Sequence, residues 1–210
     1  MDSLIFDVDG TLWNSTPQVA RSWRRTIEAH GIDAGFITAE RLTKEFGKTM
    51  DTIAISLFPD LPEHEAIDIL RECCVRENDD LLSDKPPLYD GVAEVFKELK
   101  ERGIPAGIVS NCQAGYIEVL LADTGLEPYV AGHLCPGDTG FAKARNIRIL
   151  SDRLGLEHPA YIGDTMGDFT ATKEAGLPFI FASYGFGSAP APDYEIRSPL
   201  DILKLPGISQ

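Results

Sequence analysis

A single apolar strand opens this chain and has no partner for a long way downstream. Ser3 to Val8 carries Leu4, Ile5, Phe6 and Val8, is broken only at Asp7, and runs straight into Gly10. From Asn14 to Asp84 no second strand pattern occurs. After Lys85-Pro86-Pro87 the texture changes to alternating helices and strands, the pattern of a parallel sheet wound on both faces. A lone strand buries nothing, so the first strand must join that later sheet. The expected fold is therefore α/β: a Rossmann-like doubly wound parallel core from residues 1-14 and 86-210, interrupted by an all-helical insert over 15-85.

Within the insert, Thr16 is placed to cap a helix with Pro17 at its first position, and that helix runs through Trp23 and Ile27 to Gly31. Further helices are expected over Ala39 to Phe46, Asp51 to Phe58 and Pro62 to Leu82. In the last of these, Ala66, Ile69, Leu70 and Cys73 mark one apolar face. In the core, helices are expected over Gly91 to Arg102, Gln113 to Thr124, Lys143 to Leu154 and Gly167 to Ala175. Strands are expected over Ile104 to Ser110, Ala160 to Ile162 and Pro178 to Ala182. The stretch from Tyr184 to Pro192 reads as a closing loop whose aromatics pack the core edge, followed by a short helix near Pro199 to Leu203.

Charge narrows the range of partners. The 33 acidic and 19 basic side chains leave a formal net charge of −14, a field that repels nucleic-acid backbones and anionic membrane surfaces. No apolar run reaches membrane-spanning length, and Met1-Asp2 lacks a basic leader, so a cytoplasmic protein is expected. Cys73, Cys74, Cys112 and Cys135 have no metal-site spacing and read as reduced, buried thiols.

In open parallel sheets, ligands bind at the carboxyl ends of the strands. Here those ends deliver Asp7-Val8-Asp9-Gly10-Thr11, then Ser110-Asn111, then Asp164-Thr165-Met166-Gly167-Asp168, with Lys143 just upstream of the last strand. Carboxylates brought so close repel one another unless a hard divalent cation lies among them, and Mg2+ is the first choice. One carboxylate could attack a phosphoryl group while another moves a proton. Lys143 would offset the negative charge, and Ser110 would hold phosphoryl oxygens.

The order DVDGT, SN, Lys, GDTMGD resembles the haloacid dehalogenase superfamily over essentially the whole chain. It is most similar to the phosphatase branch, the phosphoglycolate phosphatase-like enzymes, whose helical cap lies between the first and second motifs. The resemblance implies that Asp7 is the nucleophile, Asp9 the general acid and base, and Ser110 and Lys143 the phosphate binders. It implies Mg2+ held by Asp7, Asp164 and the Asp9 main-chain carbonyl, with Asp168 supporting the metal site. Thr11 and Asn111 would make secondary substrate contacts, and the block over 15-85 would be the cap. Relatives commonly carry Asp where this chain has Asn14, and Pro after the motif lysine where it has Ala144; Arg145 and Lys173 are the other lysine-site candidates. The second carboxylate, Asp9, favours a phosphoryl substrate over a halide.

The function expected from these residues is Mg2+-dependent hydrolysis of a small phosphorylated metabolite through an aspartyl-phosphate. Alternatives on the same scaffold are a phosphomutase, a pyrophosphatase, or a non-catalytic module that binds a phosphorylated ligand. Lys48, in Phe46-Gly47-Lys48-Thr49 between two insert helices, resembles the cap loop that reads the leaving group and is the candidate specificity residue.

Overall fold

The computed structural model describes residues 1–208. Six parallel strands form one sheet: β1 (Ser3–Phe6), β2 (Ala106–Val109), β3 (Gly132–Leu134), β4 (Pro159–Gly163), β5 (Phe179–Ala182) and β6 (Tyr194–Ile196). Their order across the sheet is β3-β2-β1-β4-β5-β6. β1 is central, with Leu4 opposite Ala106 on one side and Ala160 on the other. Its full burial explains the near-continuous apolar run in the sequence. Because alternate side chains of a strand face opposite ways, Leu4 and Phe6 enter one core cluster with Phe96 and Leu99, while Ile5 enters the other with Val109, Ile147 and Tyr161.

Between β1 and β2 lie α1 (Thr16–Ala29), α2 (Ala39–Thr43), α3 (Met50–Leu57), α4 (Glu63–Ser83) and α5 (Val92–Glu101). α1 packs chiefly along α4, and α3 also rests on α4. The remaining helices alternate with strands: α6 (Tyr116–Thr124), α7 (Pro136–Thr139), α8 (Lys143–Leu154) and α9 (Met166–Ala175). The two chain crossings at residues 9–13 and 88–89 are stitched together. Trp13 forms an antiparallel bridge to Leu88, and the Tyr89 amide donates to Leu12 O at 2.9 Å.

Several elements differ from the sequence reading. The helix expected to reach Phe46 stops at Thr43, whose hydroxyl turns back to Ala39 O at 2.8 Å and competes for the backbone. Thr16 is the first helical residue and not the cap; Asn14 Oδ1 accepts from its amide at 3.1 Å and its hydroxyl at 2.7 Å. β3 and β6 are three-residue edge strands that carry little apolar pattern, and neither is among the strands expected from the sequence. The short element over Pro199–Lys204 is a 3-10 helix.

Candidate active site

Asp7 leaves the end of β1 in register, its amide donating to Ile162 O at 2.8 Å, and its side chain is only 2% exposed. Lys143, the first residue of α8, is buried beneath it. Its Nζ lies 2.9 Å from Asp7 Oδ1 and 2.6 Å from Asp168 Oδ1. Burial opposes the lysine's charge, but Asp168 and Asp7 outweigh that penalty and hold its pKa above the ordinary value.

Each of Asp7, Asp164 and Asp168 brings one carboxylate oxygen within 4.8 Å of the others. Asp168 Oδ2 accepts from the Thr165 amide at 3.0 Å and its hydroxyl at 2.6 Å, so the turn that caps α9 also fixes this carboxylate. Asp164 sits between two glycines. A Cβ at Gly10, whose φ is +83°, would fall 2.1 Å from Asp164 Oδ2, and one at Gly185 would fall 2.3 Å from Asp164 Cβ. Thr11 Oγ1 donates to Asp164 Oδ1 at 3.2 Å and the Phe186 amide to Oδ2 at 2.6 Å. Burial and the neighbouring Asp168 push Asp7 up to about 6, while burial, Asp168 and Asp7 push Asp164 well above the usual carboxylate range. Three close-set hard oxygen donors suit a small divalent cation, and the set fits Mg2+.

Asp9 is set apart from that cluster and opens onto a cavity under the helical insert. Its Oδ1 accepts from Ser15 Oγ at 2.6 Å, Tyr116 Oη at 2.8 Å and Trp13 Nε1 at 3.1 Å. Enclosure of the carboxyl raises its pKa to about 7 in spite of the Ser15 and Tyr116 hydrogen bonds, and Asp7 adds to the rise. The cavity is lined by Asp7, Asp9, Ser110 and Asn111 from the sheet side, and by Lys48, Phe46, Trp23 and Glu77 from the insert.

A family model for haloacid dehalogenase-like hydrolases matches residues 1–176. The chain belongs to this family. Phosphoglycolate phosphatase of Escherichia coli (strain K12) is 25% identical, aligned over 97% of this chain and 91% of that protein. Phosphoglycolate phosphatase of Agrobacterium fabrum is 26% identical, over 91% and 84%. Among solved structures, CbbY from Rhodobacter sphaeroides in complex with phosphate superposes with a TM-score of 0.81 at 22% identity, covering 100% of both chains. The fold is thus that of the haloacid dehalogenase-like hydrolases.

Within this hydrolase scaffold, Asp7, Lys143, Asp164 and Asp168 converge in one buried cluster, and Asp7, Asp9, Ser110, Asn111 and Lys48 line one cavity. Thr11 does not line the cavity; its hydroxyl is spent on Asp164. Lys48 reaches the cavity with its ammonium paired to Glu45 at 2.7 Å. Asn111 Nδ2 donates to Gly47 O at 2.9 Å, tying the second motif to the insert loop. Arg145 stacks over Phe141 and Lys173 pairs with Asp193 at 2.6 Å, so neither competes with Lys143. All four cysteines are free and buried, and Cys112 lines the cavity with its thiol pushed well above the ordinary value by burial.

Three contributors were not singled out in the sequence. Tyr116 falls within the helix expected over Gln113 to Thr124 with nothing in the sequence to mark it. The Gly185-Phe186 backbone reads as part of a closing loop, whereas it closes on Asp164 itself. Glu77 reads as one acid among many in Glu77-Asn78-Asp79-Asp80, yet it is 2% exposed. Its position continues the spacing of the buried α4 residues Ala66, Leu70, Cys73 and Leu81, and an acid on an apolar stripe was the available signal.

Proposed function

We propose that this hydrolase is a Mg2+-dependent phosphatase of a small phosphorylated metabolite, acting through an aspartyl-phosphate on Asp7. The observation that carries the reading is the division of labour between two carboxylates two residues apart. Both line the cavity, but Asp7 is held by Lys143 beside two further carboxylates, whereas Asp9 lies outside that cluster with its pKa near 7. The names of the curated relatives, phosphoglycolate phosphatases, support a phosphate monoester as substrate.

An Asp7 oxygen attacks the phosphorus in line with the ester oxygen. The P–O ester bond breaks as Asp9 gives its proton to the departing alkoxide. Asp9, now ionised, takes a proton from water, and that water attacks the phosphorus of the acyl phosphate. Inorganic phosphate leaves and the Asp7 carboxylate is restored. Lys143 offsets charge that would otherwise hold an anionic phosphoryl group away from Asp7. Ser110 donates its hydroxyl to a phosphoryl oxygen, with Asn111 beside it, and Thr11 acts by holding Asp164. Asp7, Asp164, Asp168 and, as the family resemblance implies, the Asp9 carbonyl would hold Mg2+, which supplies Lewis-acid neutralisation of the phosphoryl charge.

The helices over 15–85 act in this reading as a cap that excludes water, hinged where Trp13 bridges Leu88. No helix among the described residues is long and apolar enough to cross a membrane, and the net charge of −14 disfavours nucleic acid; the cytoplasm is the proposed location. The test is phosphate release from a panel of phosphorylated metabolites, pyrophosphate and p-nitrophenyl phosphate, with Mg2+ and with EDTA. Release from monoesters that needs Mg2+ supports the reading. Isomerisation of a sugar phosphate without phosphate release, or a response to pyrophosphate alone, contradicts it.

A further inference from the structure

The reading above accounts for the phosphate end of the cavity and leaves the leaving-group end unexplained. Its insert wall is largely apolar, with Trp23, Phe46, Met50 and Ile53, and it encloses one carboxyl, Glu77 of α4. Burying a carboxyl is costly unless it is fully hydrogen-bonded or faces a cation. Glu77 has only two neutral donors: the Trp23 indole N–H on Oε2, and Gln113 Nε2 on Oε1 at 3.2 Å. Among the described residues no lysine, arginine or histidine pairs with it. The ammonium of Lys48 is held by Glu45, which is also paired with Arg41 at 2.9 Å. A carboxyl can accept about four hydrogen bonds, so Glu77 retains capacity toward the cavity.

Across the cavity, on its sheet side, a second acceptor has no donor at all. Asn111 Oδ1 is buried and has no hydrogen-bond partner. Its orientation is not arbitrary, because Asn111 Nδ2 must face the carbonyl of Gly47 to donate at 2.9 Å, which turns Oδ1 away from that loop. A buried acceptor without a protein donor is uncommon and calls for a donor from outside the chain; at Asn111 the cavity gives a water or a substrate group access to it.

We propose that Glu77 and the Asn111 carbonyl form a leaving-group subsite that accepts hydrogen bonds, selecting phosphate monoesters of small alcohols that carry a hydroxyl or ammonium group. The proposal rests on the phosphatase reading. Burial holds the Glu77 pKa at about 8, so a hydroxyl meets an uncharged acceptor and an ammonium draws the group into its ionised form. A carboxylate in the same place could accept the Glu77 proton but brings no donor, so it leaves the Asn111 carbonyl unpaired. A subsite built to hydrogen-bond a substrate group discriminates strongly against analogues that lack it.

The test is a matched two-carbon series: 2-hydroxyethyl phosphate, 2-aminoethyl phosphate, ethyl phosphate and carboxymethyl phosphate. Each is assayed for kcat/KM with Mg2+ in the full-length wild type and in Glu77→Met and Glu77→Gln. In the wild type, at least one donor-bearing ester should exceed both others by about tenfold or more, with the difference mainly in KM. Which of the two leads identifies the donor. In Glu77→Met that preference should shrink to about threefold or less, with Glu77→Gln intermediate; thermal melting confirms that both variants fold. If ethyl or carboxymethyl phosphate is the best wild-type substrate, or if the preference survives intact in a folded Glu77→Met protein, the subsite is refuted. Inertness toward all four esters with p-nitrophenyl phosphate still hydrolysed also refutes it. Inertness toward p-nitrophenyl phosphate as well overturns the phosphatase reading and the subsite with it.

Discussion

The Tyr116 hydroxyl donates to Asp9 Oδ1 at 2.8 Å, joining a residue of α6 to the proposed general acid across 107 positions of sequence. Ser15 Oγ reaches the same oxygen at 2.6 Å, so one side of the carboxyl is fully engaged and the other is left for the leaving group. Tyr116→Phe keeps the ring packed against Trp13 and removes only the hydroxyl. A hydrogen bond to a charged group contributes about 1.5 kcal/mol, so kcat should fall by about tenfold with KM little changed. Steady-state kinetics on the best substrate, with melting curves to confirm folding, checks this.

Gly185 has no room for a side chain, because a Cβ there would lie 2.3 Å from Asp164 Cβ and 2.4 Å from Gly10 O. Gly185→Ala must displace either the loop or the metal-site carboxylate, and forced overpacking costs about 1–3 kcal/mol. The expected outcome is a higher Mg2+ requirement, by about tenfold, together with a lower Tm. A Mg2+ titration of activity with a parallel thermal melt measures both.

Asp7, Asp164 and Asp168 repel one another with only Lys143 to offset them, so a divalent cation should stabilise the fold. Ligand present at 100 times its Kd adds about 2.7 kcal/mol of stability. Mg2+ should therefore raise the Tm of the wild type by several degrees and leave Asp164→Asn nearly unmoved. Lys143→Met takes away the one buried cation among the described residues, and its Tm should drop sharply without Mg2+ and recover in part when Mg2+ is added. Differential scanning calorimetry with EDTA and with saturating Mg2+ reads all three proteins.

Glu77 gives a pH signature that does not depend on the metal. Its pKa in the folded chain is about 8, raised from 4.5, principally by burial. The folded state therefore holds this proton more tightly than the unfolded state. That contribution to stability is fully present below about pH 4.5 and is lost as pH rises through about 8. Glu77→Gln does not titrate, so its stability relative to wild type should climb between pH 5 and 8 and then level off. At 1.36 kcal/mol per pKa unit the climb is a few kcal/mol at most, and urea unfolding at a series of pH values measures it.

The parts of this molecule that show in its sequence are those where one requirement dominates. β1 is buried on both faces, so its residues are almost all apolar, and α8 begins at Lys143 and ends at Leu154 where its pattern does. The carboxylates converge because each follows a strand of one parallel sheet, which order along the chain reveals. What stays hidden depends on tertiary geometry. β3 and β6 are held by pairing with β2 and β5 and not by an apolar pattern of their own. The Phe186 amide belongs to the site through its backbone, for which no side chain is a marker. Thr11 carries the residue type of a ligand contact, but its hydroxyl is bonded to Asp164 and it does not line the cavity. Tyr116 has no marker in the sequence, and Glu77 is marked only by its place on the apolar stripe of α4.

The central claim is that Asp7 becomes phosphorylated. Protein mixed with substrate and Mg2+, quenched in acid during turnover and reduced with borohydride, should yield homoserine at position 7 in the peptide mass spectrum, because an acyl phosphate is reduced to the alcohol. Asp7→Asn, with deamidation excluded in the same spectrum, should show neither the product nor turnover. Unmodified Asp7 during demonstrable turnover, or an active Asp7→Asn protein, would contradict the account.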